Sequence, residues 1–263
     1  MNFKRCLSNI PLYYGRRMNL LSSIYGPRHA SDKFREQLKS GNPWSCYFKP
    51  WDITNDMIFQ KESKFFLEEI DEYRKHINVD QLTKLLIPSF ANQYYRENSL
   101  KMQVASKLII ENTFREDDDD ARIYHEIISK NDSWEPGKYR HCSIRAKDYP
   151  LIIYPYPLEI PSLMREFYYF KDCSRGLGLH PIVAACHLFV SFHSIHPFQH
   201  GNGQVAQLIF MEHLVQHGYP PVVHHHLNYD DLVDLIRQSQ QGSHFGLYFT
   251  MVETIMNELI GQK

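Results

Sequence analysis

The sequence predicts a mainly α protein, a helical bundle carrying one short β-hairpin. Three observations lead there. Apolar residues return at helical spacing from Asp56 to about Ile110, Ile182 to Phe192 is apolar on nearly every side, and a single stretch pairs two β-favouring runs. At 263 residues the chain is long enough to bury a full core. Its 43% hydrophobic and 22% charged residues are globular values, which excludes disorder as its main character.

In chain order, the first 31 residues hold Lys4, Arg5, Arg16, Arg17 and Arg28 and no acid before Asp32. That composition resembles a mitochondrial transit peptide, and a plain solvated basic tail is the other reading. Residues 40–52 carry turn formers and two Trp, so 1–52 is expected to be a basic, partly irregular segment ahead of one folded domain over 53–263. Phe65-Phe66, Ile70 and Tyr73, then Leu82 and Leu85-Leu86, mark helices. The acidic run Glu116 to Asp120 reads as a solvated loop feeding negative charge to a helix over about 122–129; it lacks the Gly and terminal Glu of an EF-hand loop. Tyr139 to Ile144 and Leu151 to Tyr154 flank a turn and form the candidate hairpin, which Pro150, Pro155 and Pro157 restrict to a sheet edge. Pro181 suits a first helical turn, and the apolar run after it is the expected central helix. Val205, Leu208-Ile209 and Leu214-Val215 mark a further helix that Gly218 closes.

Charge and cysteine content narrow the function classes. With 29 basic against 30 acidic residues the net charge is −1, so no global field attracts a nucleic-acid polymer or an anionic membrane, although 15 His make the charge sensitive to mild acid. The five cysteines are odd in number, widely spaced and without a C-x-x-C pair, which argues against a disulfide framework and fits a reducing compartment. No apolar run is long enough to span a membrane. A cytoplasmic protein is expected, with a mitochondrial destination as the alternative through the basic N-terminus.

The chemistry is expected in the turn between the last two helices, HSIHPFQHGNGQVAQ, His193 to Gln207. Gly201-Asn202-Gly203 can adopt positive φ and expose consecutive N–H groups, and the next helix adds the positive end of its dipole, together a nest for an anion such as phosphate. His196 stands at the other lip, where an imidazole can take a proton from an attacking hydroxyl. A plain helix-helix loop, with glycines for the turn and His196 as a core histidine, remains the alternative on these residues alone.

The wider pattern decides between them. HPFQHGNGQVAQ, His196 to Gln207, resembles the Fic (Fido) family signature H-P-F-x-[DE]-G-N-G-R-x-x-R. PGKYRHCSI, Pro136 to Ile144, resembles the family's flap strand; PYPLEIPSLM, Pro155 to Met164, its proline-rich return; and LIFMEHLVQHGYPPV, Leu208 to Val222, its post-motif helix. The resemblance covers roughly residues 55–260 and implies a Fic-type helical domain over 53–263. It also implies transfer of AMP from ATP, with Mg²⁺ or Mn²⁺, to a Ser, Thr or Tyr hydroxyl of a target protein. His196 would be the base; Phe198, Gly201, Asn202, Gly203, Gln204 and Gln207 would form the nucleotide site; and a flap with Tyr139, Arg140 and Ile144 would dock the target by strand addition. In QYYREN, Glu97 would be the inhibitory glutamate.

The sequence departs from the signature at three positions. His200 stands where the family places an acidic metal ligand, and a neutral nitrogen suits a hard cation poorly. Gln204 and Gln207 stand where it places arginines, so charged clamps on the phosphates become neutral amides. The expected activity is therefore weakened or altered, and the alternative is a catalytically inactive nucleotide- or protein-binding module on the same fold. A zinc site from His193, His196, His200 and His224 to His226 is less well supported: no H-E-x-x-H pattern occurs, and consecutive histidines point to opposite sides.

Overall fold

The computed structural model describes residues 61–76, 78, 99–111, 120–129, 135–144, 154–155, 157–174 and 178–219, with 231, 234, 235, 246, 250, 251, 253 and 254. These residues form α1 (Lys61–Arg74), α2 (Ser99–Glu111), α3 (Asp120–Ser129), a 3-10 turn (Pro157–Glu159), α4 (Ile160–Cys173), α5 (Pro181–Ile195) and α6 (Asn202–Gln216). The mainly helical class expected from the sequence is what they show. The basic segment 1–52, Glu97 and His224 to His226 lie outside the described residues.

α5 is the centre. Every residue in it except Pro181 and His193 is buried, as the all-round apolar sequence requires. Its start is fixed twice: Pro181 occupies the first turn, and the His180 side chain accepts a hydrogen bond from the Ile182 N–H at 3.2 Å. α6 packs along α5, α4 covers another side of α5, and α3 and α2 lie against α6. Phe167 on α4 meets Phe192 on α5 edge-to-face at 5.7 Å, and Phe189 on α5 meets Phe210 on α6 at 5.9 Å. α6 ends where Gly218 takes φ 78° and the Tyr219 N–H reaches back to the Leu214 carbonyl at 2.9 Å.

The acidic run behaves differently from its sequence reading. Asp120 is only 6% exposed, and its carboxylate binds Lys171 Nζ at 2.5 Å. The same ammonium donates to Glu212 at 2.9 Å, tying α3 and α6 to α4. Burial disfavours the charge on Lys171, but Glu212 and Asp120 outweigh that penalty and raise its pKa. The other acids of the run lie outside the described residues.

The expected hairpin is not seen: residues 138–144 run without a strand, and 145–153, which hold most of the second leg, lie outside the described residues. The chain at the first leg is fastened to the bundle by hydrogen bonds of other kinds. The Gly137 N–H donates to His125 Nδ1 at 3.0 Å, Arg122 Nε donates to the Gly137 carbonyl at 2.8 Å, and the Arg140 N–H donates to the Pro197 carbonyl at 2.9 Å. Gly137 has φ 69°, and a Cβ there would meet the Arg122 carbonyl oxygen at 3.2 Å, so both conformation and space call for glycine.

Candidate functional site

The candidate site is the bend between α5 and α6. α5 stops at His196, which adopts φ 50°, ψ 60° while its N–H still bonds the Phe192 carbonyl at 2.9 Å. It is the one non-glycine residue with positive φ among those described. A side chain held in that region costs about 1–3 kcal/mol and persists only where the surroundings impose it.

Two side chains hold the bend from within. Phe198 is fully buried and stacks flat on His125 of α3, ring centroids 3.9 Å apart. Because the Gly137 N–H occupies His125 Nδ1, the ring proton sits on Nε2, 3.0 Å from Ser129 Oγ, and His125 is a neutral structural prop. Asn202, 2% exposed, closes the loop with its amide: Oδ1 accepts from the Phe198 N–H at 2.9 Å and Nδ2 donates to the Phe198 carbonyl at 2.8 Å. Its side chain is thereby turned into the loop and not outward to a ligand.

Of the three nest residues, only Gly201 takes positive φ, 73°; Asn202 and Gly203 already belong to the first turn of α6. A Cβ on Gly201 would meet Ile128 Cδ1 at 3.2 Å. The anion-seeking feature is thus the helix terminus itself. The first helical bond runs from the Val205 N–H to the Gly201 carbonyl at 3.1 Å, so the N–H groups of Asn202, Gly203 and Gln204 precede the ladder. Gly203 is exposed, Gln204 half-buried and Gln207 buried at 6% exposure, while His200 is exposed on the loop.

The His196 ring lies 4.3 Å from the Tyr154 ring. Its Nδ1 is 3.4 Å from the His193 carbonyl, and a carbonyl only accepts, so this contact selects the Nδ1–H tautomer and leaves the Nε2 lone pair for a proton. Burial and then His193 lower the His196 pKa to about 3; the contact to the His193 backbone opposes them in part, and Arg140 and His200 add smaller depressions. Burial alone lowers that of His193 to about 4. His193 Nε2 is buried without a hydrogen bond among the described residues, and its ring packs on Phe189 at 4.7 Å. Both imidazoles are neutral at pH 7.

This has a thermodynamic consequence. Unfolded histidines titrate near 6.5, so between that value and about 4 and 3 the unfolded chain binds protons that folded His193 and His196 refuse. Their contribution is complete above the unfolded pKa and is lost as pH falls, at up to about 1.4 kcal/mol per pH unit for each group. Thermal melts from pH 7 to pH 4 should show a shallower decline for His193→Phe than for the native chain. Parallel declines would contradict this assignment.

Of the flap residues, Tyr139 and Arg140 pack against the bundle. Tyr139 packs 5.6 Å from the Phe198 ring with the Arg122 guanidinium 5.7 Å over its face, Ile144 is half-buried, and Arg140 is 4% exposed. Sequence reasoning missed the supporting roles of His125 and Tyr154. For His125 a signal existed, since Ala121, Tyr124, His125 and Ile128 share one helical face and all four are buried. A hard divalent cation does not fit the donor set: an imidazole stands at residue 200, and among the described residues no three His, Cys, Asp or Glu gather to hold a metal.

Comparison with known proteins gives a consistent result. Residues 117–214 match the model of the Fic/DOC family. A protein adenylyltransferase Fic from Drosophila grimshawi is 24% identical over 156 residues, 59% of this chain and 28% of its own length. The chain thus spans little more than a quarter of that curated relative. A Fic domain containing signaling protein from Bacteroides thetaiotaomicron superposes with TM-score 0.56 at 17% identity, covering 74% of this chain and 95% of its own. IbpAFic2, solved covalently tethered to Cdc42, superposes with TM-score 0.61 at 10% identity, over 96% of this chain and 92% of its own. At these identities the structural likeness shows the fold. Among the described residues no helix is long and apolar enough to cross a membrane.

Proposed function

We propose, from the match of residues 117–214 to the Fic/DOC family model, that this chain is a protein adenylyltransferase whose phosphate-binding positions carry neutral side chains. The substrates are ATP and a Ser, Thr or Tyr hydroxyl on a target protein. His196 Nε2 takes the hydroxyl proton, the oxygen forms a bond to the α-phosphorus, the bond from that phosphorus to the bridging oxygen breaks, and pyrophosphate leaves. The N–H groups of Asn202, Gly203 and Gln204 receive the phosphate oxygens, with Gln204 and Gln207 as neutral donors.

One observation carries the reading: a neutral imidazole is held in a strained left-handed turn at one end of the loop whose other end is a helix N-terminus. Many helices end in a left-handed residue, but that residue is usually glycine; a histidine held there is strained, and strain of this kind clusters at functional sites. The relatives' names and the tethering of a structural neighbour to Cdc42 support a protein target.

The inactive-module reading is favoured by a different observation, the inward-turned amide of Asn202 together with neutral side chains at 200, 204 and 207. Label transfer from α-labelled ATP to protein separates the two. The expected result is slow transfer that His196→Ala lowers at least about a hundredfold, the scale of losing a general base. ATP binding by calorimetry with no transfer above that of His196→Ala would leave the binding module as the function.

A further inference from the structure

Arg140 sits where a target-docking side chain was expected, yet it is 4% exposed and its donors are spent inside the chain. Nε donates to the His196 carbonyl at 2.8 Å, Nη1 to the Cys142 carbonyl at 3.0 Å and Nη2 to the Pro155 carbonyl at 2.6 Å. Its own N–H donates to the Pro197 carbonyl at 2.9 Å. The planar fork of a guanidinium is the one side chain able to reach several acceptors in fixed directions at once. Here it joins the bend after α5, the segment 138–144 and the segment before the 3-10 turn.

These partners are not arbitrary. The His196 carbonyl adjoins the strained φ, ψ pair, and the Pro197 carbonyl follows it, so Arg140 grips successive peptides of the bend. Pro155 follows Tyr154, whose ring lies against that of His196. One guanidinium therefore fixes both the backbone that aims the imidazole and the backbone that carries its cover.

We infer that Arg140 is a positioning residue for His196: it imposes the left-handed turn and holds Tyr154 against the ring, and is not a contact for the target. This rests on the reading of His196 as the proton acceptor, but its test needs no turnover. The titratable or charged neighbours acting on the ring are His193, Arg140 and His200.

The experiment follows the ring resonances of histidine-labelled full-length protein by NMR across pH. In the native chain the His196 signal is expected to stay unprotonated down to about pH 5, since its surroundings hold its pKa well below the ordinary value. Arg140→Met keeps the aliphatic stem and the main-chain N–H and removes every side-chain donor, so His196 should titrate above that pH, its midpoint raised by about one unit or more, while the His125 signal stays in place against Phe198. Because the Arg140 charge itself lowers the His196 pKa, Arg140→Lys, which keeps the charge but cannot span three carbonyls, separates position from charge, and its midpoint should also rise above the native one. An unchanged His196 titration in Arg140→Met overturns the inference. Should that variant fail to fold, Arg140→Lys decides alone, and native behaviour in it overturns the inference equally. Absence of label transfer in every variant would remove the transferase reading while leaving the Arg140 result standing.

Discussion

His200→Asp combined with Gln204→Arg raises label transfer from α-labelled ATP by about ten-thousandfold, since one charge-assisted contact in a reaction site is worth about 3 kcal/mol and two are restored. The loop tolerates both changes. His200 is exposed and Gln204 half-buried, while the bend is held by Phe198, Asn202 and the capping hydrogen bonds. An acidic side chain just ahead of α6 also meets the positive end of its dipole. The oxygen donor created at residue 200 is suited to a hard cation, so the gain should be larger with Mg²⁺ than without it. Adding His196→Ala to the pair should return transfer to background. A double variant no faster than the native chain would show that charge at these positions is not what limits the reaction.

The second large effect concerns stability. Lys171→Met leaves the carboxylates of Asp120 and Glu212 buried without their cation, and loss of one partner from a buried pair costs about 3–5 kcal/mol. The side chains involved are 9%, 9% and 2% exposed, so water cannot compensate. Tyr124, whose hydroxyl is 3.4 Å from Glu212, and Gln216, which donates to Glu212 at 2.9 Å, are too weak as donors to replace an ammonium. Denaturant unfolding of Lys171→Met measures the loss. Adding Asp120→Asn and Glu212→Gln should recover much of it, because the offence is unpaired charge and not lost volume. If the triple variant is as unstable as the single one, packing around the lysine stem is the larger contribution.

What the sequence made legible and what it hid follow from one distinction. Local rules placed α5 and α6: Pro181 at a first turn, Gly218 past a last one, and apolar periodicity between. Each of those signals acts within a few residues. The roles that were missed depend on partners far away in the chain. Asp120 reads as solvated until Lys171, 51 residues on, arrives beside it. Arg140 reads as an edge side chain until its carbonyl partner at His196, 56 residues on, is in place. Asn202 was legible as part of a glycine-rich turn, but nothing in Gly-Asn-Gly says that the amide closes on Phe198. The bend was identified by its residue pattern; which atoms of it face a ligand was decided by tertiary contacts.

A last consequence comes from the backbone angles of residue 196. Glycine or asparagine would sit there more comfortably than histidine. Any screen that rewards thermal resilience alone will drift toward those two and discard the imidazole, because at this position resilience and reactivity draw on opposing choices of residue.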